Sequence, residues 1–166
     1  MRAESDPIAL IQRGWQVLGG TVAGRILFAQ ALGRLVPYSG SVPFAVEALR
    51  PGEAALTLPD RRATRNHLGS IHAVALANVL ELAANLALVP QLARGQSFIV
   101  TRLDIRYLAK ARGSLRIEGR APTDISALTE SAPLTLETHA SAFNAAGQRV
   151  CEATAEVRVR MQGSRA

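Results

Sequence analysis

The chain has a single cysteine, Cys151, a single lysine, Lys110, and an aromatic content of only 4%. One cysteine excludes an intrachain disulfide and any cysteine-built metal site, and it fits a reducing, cytoplasmic compartment. Scarce aromatics leave the core to Ala, Leu and Val, which must pack closely. Acidic residues number 13 against 19 basic ones, for a formal charge of +6. The arginines are scattered from Arg2 to Arg165 without the basic patch or motif of a nucleic-acid reader, so no nucleic-acid partner is expected. They suit a soluble surface or attraction for an anionic small molecule. The N-terminus carries Glu4 and Asp6, and the helical pattern after them is interrupted by Arg13, Arg25 and Arg34, which is not the order of a secretory signal.

One apolar run, 71–89, is long enough to span a bilayer, yet it carries His72, Asn78, Glu81 and Asn85. An acid near its centre is costly in lipid, so the run reads as a helix buried in protein and no membrane span is expected. Before it, residues 8–35 show apolar positions at helical spacing, with Asp6-Pro7 as cap and first-turn pair. Gly14, Gly19, Gly20 and Gly24 predict a bent or two-piece helix. A loop over 37–43 is followed by two short extended segments around Pro51-Gly52, which read as a hairpin.

After Pro90 the pattern becomes period-two alternation. In 98–108, Ile99, Thr101, Leu103, Ile105 and Tyr107 share one face, with Arg102, Asp104 and Arg106 opposite. Segments 114–121, 135–143 and 149–161 alternate likewise, and the last sets Cys151, Ala153, Ala155, Val157 and Val159 against Glu152, Thr154, Glu156 and Arg158. This describes an α+β chain whose antiparallel sheet of about six strands is covered on one face, with the apolar helix lying inside its curve. The span 1–166 reads as one domain, a helical extension over 1–40 preceding a core over 44–161.

Within the long helix Asn78, Glu81 and Asn85 stand three and four residues apart and share one stripe. A carboxylate on an otherwise apolar helix needs a partner, water or a second subunit. Burial would raise its pKa toward the range a general base uses, and a structural Glu bonded to its Asn neighbours is the alternative. The turn Asn66-His67-Leu68-Gly69-Ser70-Ile71-His72 opens this helix. Helix-start amides there can hold an anion or a developing oxyanion, unless Ser70 is simply the N-cap. His67 and His72 do not have the spacing of a helical metal pair, and no metal site is expected. Cys151 reads as a core thiol and His139 as structural or exposed.

Asn66-x-x-Gly69-Ser70-x-His72, followed nine residues later by Glu81, resembles the active-site stretch of hotdog-fold thioesterases of the PaaI and DUF4442 type. These carry an Asn-x-x-Gly-Thr/Ser-x-His turn and an Asp or Glu at that distance along a central helix. The segment Ile105-Arg106-Tyr107-Leu108-Ala109-Lys110-Ala111 is similar to their strand-ending bend. The resemblance implies a sheet wrapped around the central helix, a homodimer or dimer of dimers, and acyl-CoA hydrolysis at the subunit interface. Coenzyme A would be part of the substrate, with no resident cofactor.

By position, Glu81 would be the general base or nucleophile from one subunit. The Ala73 N–H and the Asn66 side chain would polarise a thioester carbonyl held against the other. Gly69, Ser70, His72, Asn78, Thr101, Lys110 and Arg112 are the expected substrate-binding residues, with Arg61 to Arg65 and Lys110 to Arg112 attracting the CoA phosphates. Two departures stand out. Ala73-Val74 replaces the Gly-Gly of the PaaI type, and Val100 stands where related enzymes place a water-orienting Ser or Thr, with Thr101 brought to that face only by a bulge. A non-catalytic acyl-thioester binding module is the second reading, and a hotdog hydratase, lacking an Asp-His pair, the third. The helical extension has three available places: capping the sheet, covering the pocket or extending an interface.

Overall fold

The computed structural model describes residues 6–126 and 133–161; Glu4 and both ends of the expected domain span lie outside them. The N-terminal pattern forms two helices, α1 (Pro7–Leu18) and α2 (Val22–Leu35), parted at the Gly19-Gly20 pair. The Asp6 carboxylate accepts the Ile8 and Ala9 amides, as its position before Pro7 predicts. Trp15 meets Phe28 edge to face with ring centroids 5.2 Å apart, which locks the pair together.

A hairpin of β1 (Ala45–Arg50) and β2 (Glu53–Leu58) precedes α3 (Ala73–Leu88). Then come β3 (Gln96–Tyr107), β4 (Leu115–Arg120), β5 (Leu134–Phe143) and β6 (Arg149–Met161). All pairings are antiparallel and the spatial order is β1-β2-β4-β5-β6-β3. The chain therefore leaves β2 near one edge, crosses the inner face as α3, and returns as β3 at the other edge. This is the hotdog arrangement. The alternation in β6 turns Cys151, Ala153, Ala155, Val157 and Val159 inward, where all five are buried with Val79, Leu80, Ala83 and Ala84 of α3. The segment Ala73–Gln91 is apolar enough to cross a membrane but is 67% buried as this core helix.

The sheet meets the helix backbone at Gly119 in β4, where an added Cβ would overlap the Ala83 carbonyl. Gly119→Ala is expected to cost about 2 kcal/mol, because a backbone group cannot move aside as a flexible side chain does. A lowered urea midpoint with an unchanged slope would show it.

Two sequence expectations are corrected. In β3 the register slips by one residue between Val100 and Arg102, so Thr101 is an extra residue opposite β6. Phe98 and Val100 pack inward before this bulge, and Leu103 and Ile105 after it. Ile99 is thereby turned outward, 61% exposed, rather than sharing a face with Leu103. The second correction concerns the start of α3. Ile71 pairs with Arg65 in an isolated antiparallel bridge and donates its N–H to the Ala111 carbonyl, so the helix begins at Ala73, with His72 rather than Ser70 as the N-cap.

Candidate active site

The turn before α3 is organised by Asn66. Its Oδ1 accepts the Leu68 N–H at 2.9 Å, the Ser70 N–H at 3.2 Å and the Ser70 hydroxyl at 3.2 Å. Two backbone donors require an oxygen there, which leaves the side-chain NH2 bonded to nothing among the described residues. Gly69 takes φ +68, the left-handed region that closes the loop and that side chains rarely adopt. Ser70 is buried against Asn66, and the His72 N–H donates to the Thr64 carbonyl.

His72 caps the helix, its Nδ1 accepting the Val74 N–H at 3.1 Å. The Ala73 N–H, ahead of it in the first turn, has no acceptor among the described residues, and Ala73 is exposed. The Tyr107 hydroxyl donates to the Ala73 carbonyl at 3.1 Å and ties the end of β3 to this turn. The site thus offers two unsatisfied donors, one backbone and one amide, at the positive end of the helix dipole.

Glu81 is half-buried and makes no hydrogen bond or ion pair among the described residues. Burial alone pushes its carboxyl above the ordinary value of 4.5. It faces an apolar cavity of about 300 Å³ between α3 and the N-terminal helices, which Asn85 also lines. Asn78, the third member of the stripe, is buried and donates to the Tyr38 carbonyl at 3.2 Å, fixing the helical extension on α3. Of the three available places, the extension covers the stripe.

Lys110 and Arg112 are exposed, and their loop lies against the basic loop that precedes Asn66. Asp60 joins the two, accepting from Arg65 Nε at 2.7 Å and from the Gly113 N–H at 2.9 Å. The Arg65 guanidinium holds the Asp60 carboxyl below its usual range. Arg61, Arg62, Lys110 and Arg112 are left without carboxylate partners among the described residues.

Thr101 is not brought to the site. Its hydroxyl donates to Glu156 Oε1 at 2.6 Å on the outer face of the sheet, so the bulge turns it away from α3 and leaves Val100 facing in. Cys151 is fully buried with its thiol pushed up to about 11 by desolvation, the state of a core residue. His139 is exposed, beside the Thr154 hydroxyl. Sequence reasoning missed Tyr107 as a tether of the helix start, and its only sequence signal was its place in the strand-ending segment.

Residues 24–159 match the family model described as a domain of unknown function, DUF4442. The chain belongs to the DUF4442 family. A structural-genomics protein of known structure superimposes with a TM-score of 0.73 at 29% identity, over 92% of this chain and 99% of that one. A Pseudomonas aeruginosa protein described as a probable thioesterase gives 0.69 at 25% identity, over 81% and 91%. A hypothetical thioesterase from Streptococcus pneumoniae, solved with coenzyme A, shares the fold at 0.59 and 21% identity, over 74% and 92%. No curated protein is similar enough in sequence to match. The DUF4442 chain thus has a hotdog fold whose structural neighbours include thioesterase-family proteins.

Proposed function

We propose that this DUF4442 protein hydrolyses acyl-CoA thioesters at a site shared between two subunits. The observation that carries the proposal is Glu81, a half-buried carboxylate without a side-chain partner among the described residues, nine residues after His72 on the central helix, where the resemblance to hotdog thioesterases puts an acid. In the forward reaction Glu81 takes a proton from water as the water oxygen bonds to the acyl carbon. Donors at a helix start hold the oxyanion, the C–S bond breaks, and the proton passes to the departing sulfur. Direct attack by Glu81, followed by hydrolysis of the resulting anhydride, uses the same groups. Neither route calls for a resident cofactor.

Spacing along the helix argues for two subunits. Ala73 and Glu81 are eight residues apart on α3, about 12 Å along its axis, too far for one carbonyl to meet both. A second chain, presenting its helix start beside Glu81 of the first, removes the difficulty. The edge strand β3 supports such pairing, since it carries exposed Ile99 and Tyr107 and, among the described residues, has a partner strand on one side only. On this reading the free cations of the two joined basic loops receive the CoA phosphates.

The test is release of free thiol from a panel of acyl-CoA esters. One observation favours the alternative of binding without turnover: no hydroxyl stands at Val100, and Thr101 is engaged outside. Measurable acyl-CoA affinity with no thiol release would select that alternative. The pH profile follows from burial. The active carboxylate is lost as pH falls through its raised pKa, so the acid limb of kcat/KM is expected above 4.5 and should disappear in a variant without the acid.

A further inference from the structure

The stripe Asn78-Glu81-Asn85 faces the N-terminal helices rather than solvent, which gives the helical extension a place in the site. We propose, on the basis of the thioesterase reading, that the acyl group of the substrate occupies the cavity that α1 and α2 close over Glu81. Acyl selectivity is then set by this chain's own helical extension.

Three observations converge. The cavity, about 300 Å³, has Ile8, Ile11, Leu32 and Val36 of the extension on one side and Glu81 and Asn85 on the other. Two of its polar side chains lack partners among the described residues: the Glu81 carboxylate has no hydrogen bond, and the Asn85 Oδ1 is buried without one. A buried acceptor left open in an apolar cavity calls for an occupant, either ligand or water. The wall is also pinned at both ends. Asn78 holds the Tyr38 carbonyl at 3.2 Å, and Gln12 Nε2 donates to the Val89 and Leu92 carbonyls at 2.9 and 2.8 Å. A wall fixed by side chain to backbone bonds keeps its shape when the cavity fills.

The chemistry of the lining identifies the occupant. Apolar walls without a cation exclude a charged acyl group and accept an aliphatic one. The volume is at the small end of ligand sites and holds roughly ten groups the size of a water molecule, which suits a short to medium chain. With the reacting carbonyl beside Glu81, the tail points toward Ile8 and Leu32. The family match begins at residue 24, so Ile8 and Ile11 lie before the segment that carries the turn and Glu81. Leu32 and Val36 lie within the match, so α1 alone supplies a wall from outside it.

Ser39, just after α2, also lines the cavity. The experiment compares kcat/KM across saturated acyl-CoA esters from acetyl to palmitoyl for wild type, Ile11→Trp and Ser39→Phe, with circular dichroism as the check on folding. Filling the cavity from either position should raise the ratio of short-chain to medium-chain kcat/KM at least about tenfold. The same chain-length profile in wild type and both folded variants would overturn the inference. Equilibrium binding of the same esters to Glu81→Gln protein, with and without Ile11→Trp, separates the two readings. If wild type hydrolyses nothing but Ile11→Trp shifts the length dependence of binding, the pocket stands and hydrolysis fails. Binding insensitive to chain length in both proteins would sink the pocket.

Discussion

Glu81→Gln is expected to lower kcat on the best acyl-CoA ester by about a thousandfold, the middle of the range for removal of a general base. Glutamine keeps the size and hydrogen-bonding reach of the side chain but cannot take a proton or form an anhydride. Binding should survive, because burial of the group hardly changes, so the loss belongs in kcat more than in KM. The same substitution should raise stability. Burial holds the Glu81 proton more tightly in the folded chain than in the unfolded one. The cost of ionising it is therefore absent below the unfolded pKa and complete above the folded pKa, and stability falls as pH rises between the two. Glutamine removes that cost, so the Tm at pH 7 should rise while the pH 4 value moves less. A variant both less active and less stable would argue for the structural Glu instead.

Ala73→Pro is the second large effect. Proline has no N–H, so the substitution deletes the helix-start donor, yet it is well tolerated at the first helical position, where that N–H makes no intrahelical bond. His72 already has extended backbone, φ −64 and ψ 139, as the residue before a proline should. The fold should therefore persist, while loss of one oxyanion donor is expected to reduce kcat about a hundredfold or more. Ala73→Gly, which keeps the N–H and restores the residue found in the PaaI type, should retain turnover. A Pro variant as active as wild type would remove the helix start from the mechanism.

Much of the fold could be read from local pattern. The strand alternation of β6 and the apolar length of α3 each carry their own burial instructions, and the Gly19-Gly20 pair marked the break in the N-terminal helix. Errors arose where a distant partner decided. Thr101 follows Val100 in a run of good strand formers, and only pairing with β6, some fifty residues on, makes it the extra residue. Ile71 looks helical beside Val74 and Leu76, but the Ala111 carbonyl and the bridge to Arg65 hold it in an extended turn. In the site, the three- and four-residue spacing placed Asn78, Glu81 and Asn85 on one stripe. What faces the stripe was not visible, since the apolar residues of α1 and α2 show which side is buried without naming the surface it meets. Asn78 and Tyr38, forty residues apart, make that assignment only in three dimensions.

On the proposed mechanism each site takes Glu81 from one subunit and the helix start from another. Glu81→Gln and Ala73→Pro proteins, each nearly inactive, can be mixed, unfolded and refolded together so that subunits exchange. Random pairing makes about half of the dimers mixed, and in a symmetric dimer each of these has one site with both groups intact. Thiol release by the mixture should then recover to roughly a quarter of the wild-type rate. If exchange is complete by mass spectrometry and the rate stays at that of the separate variants, the two groups do not meet across subunits and the shared site is ruled out.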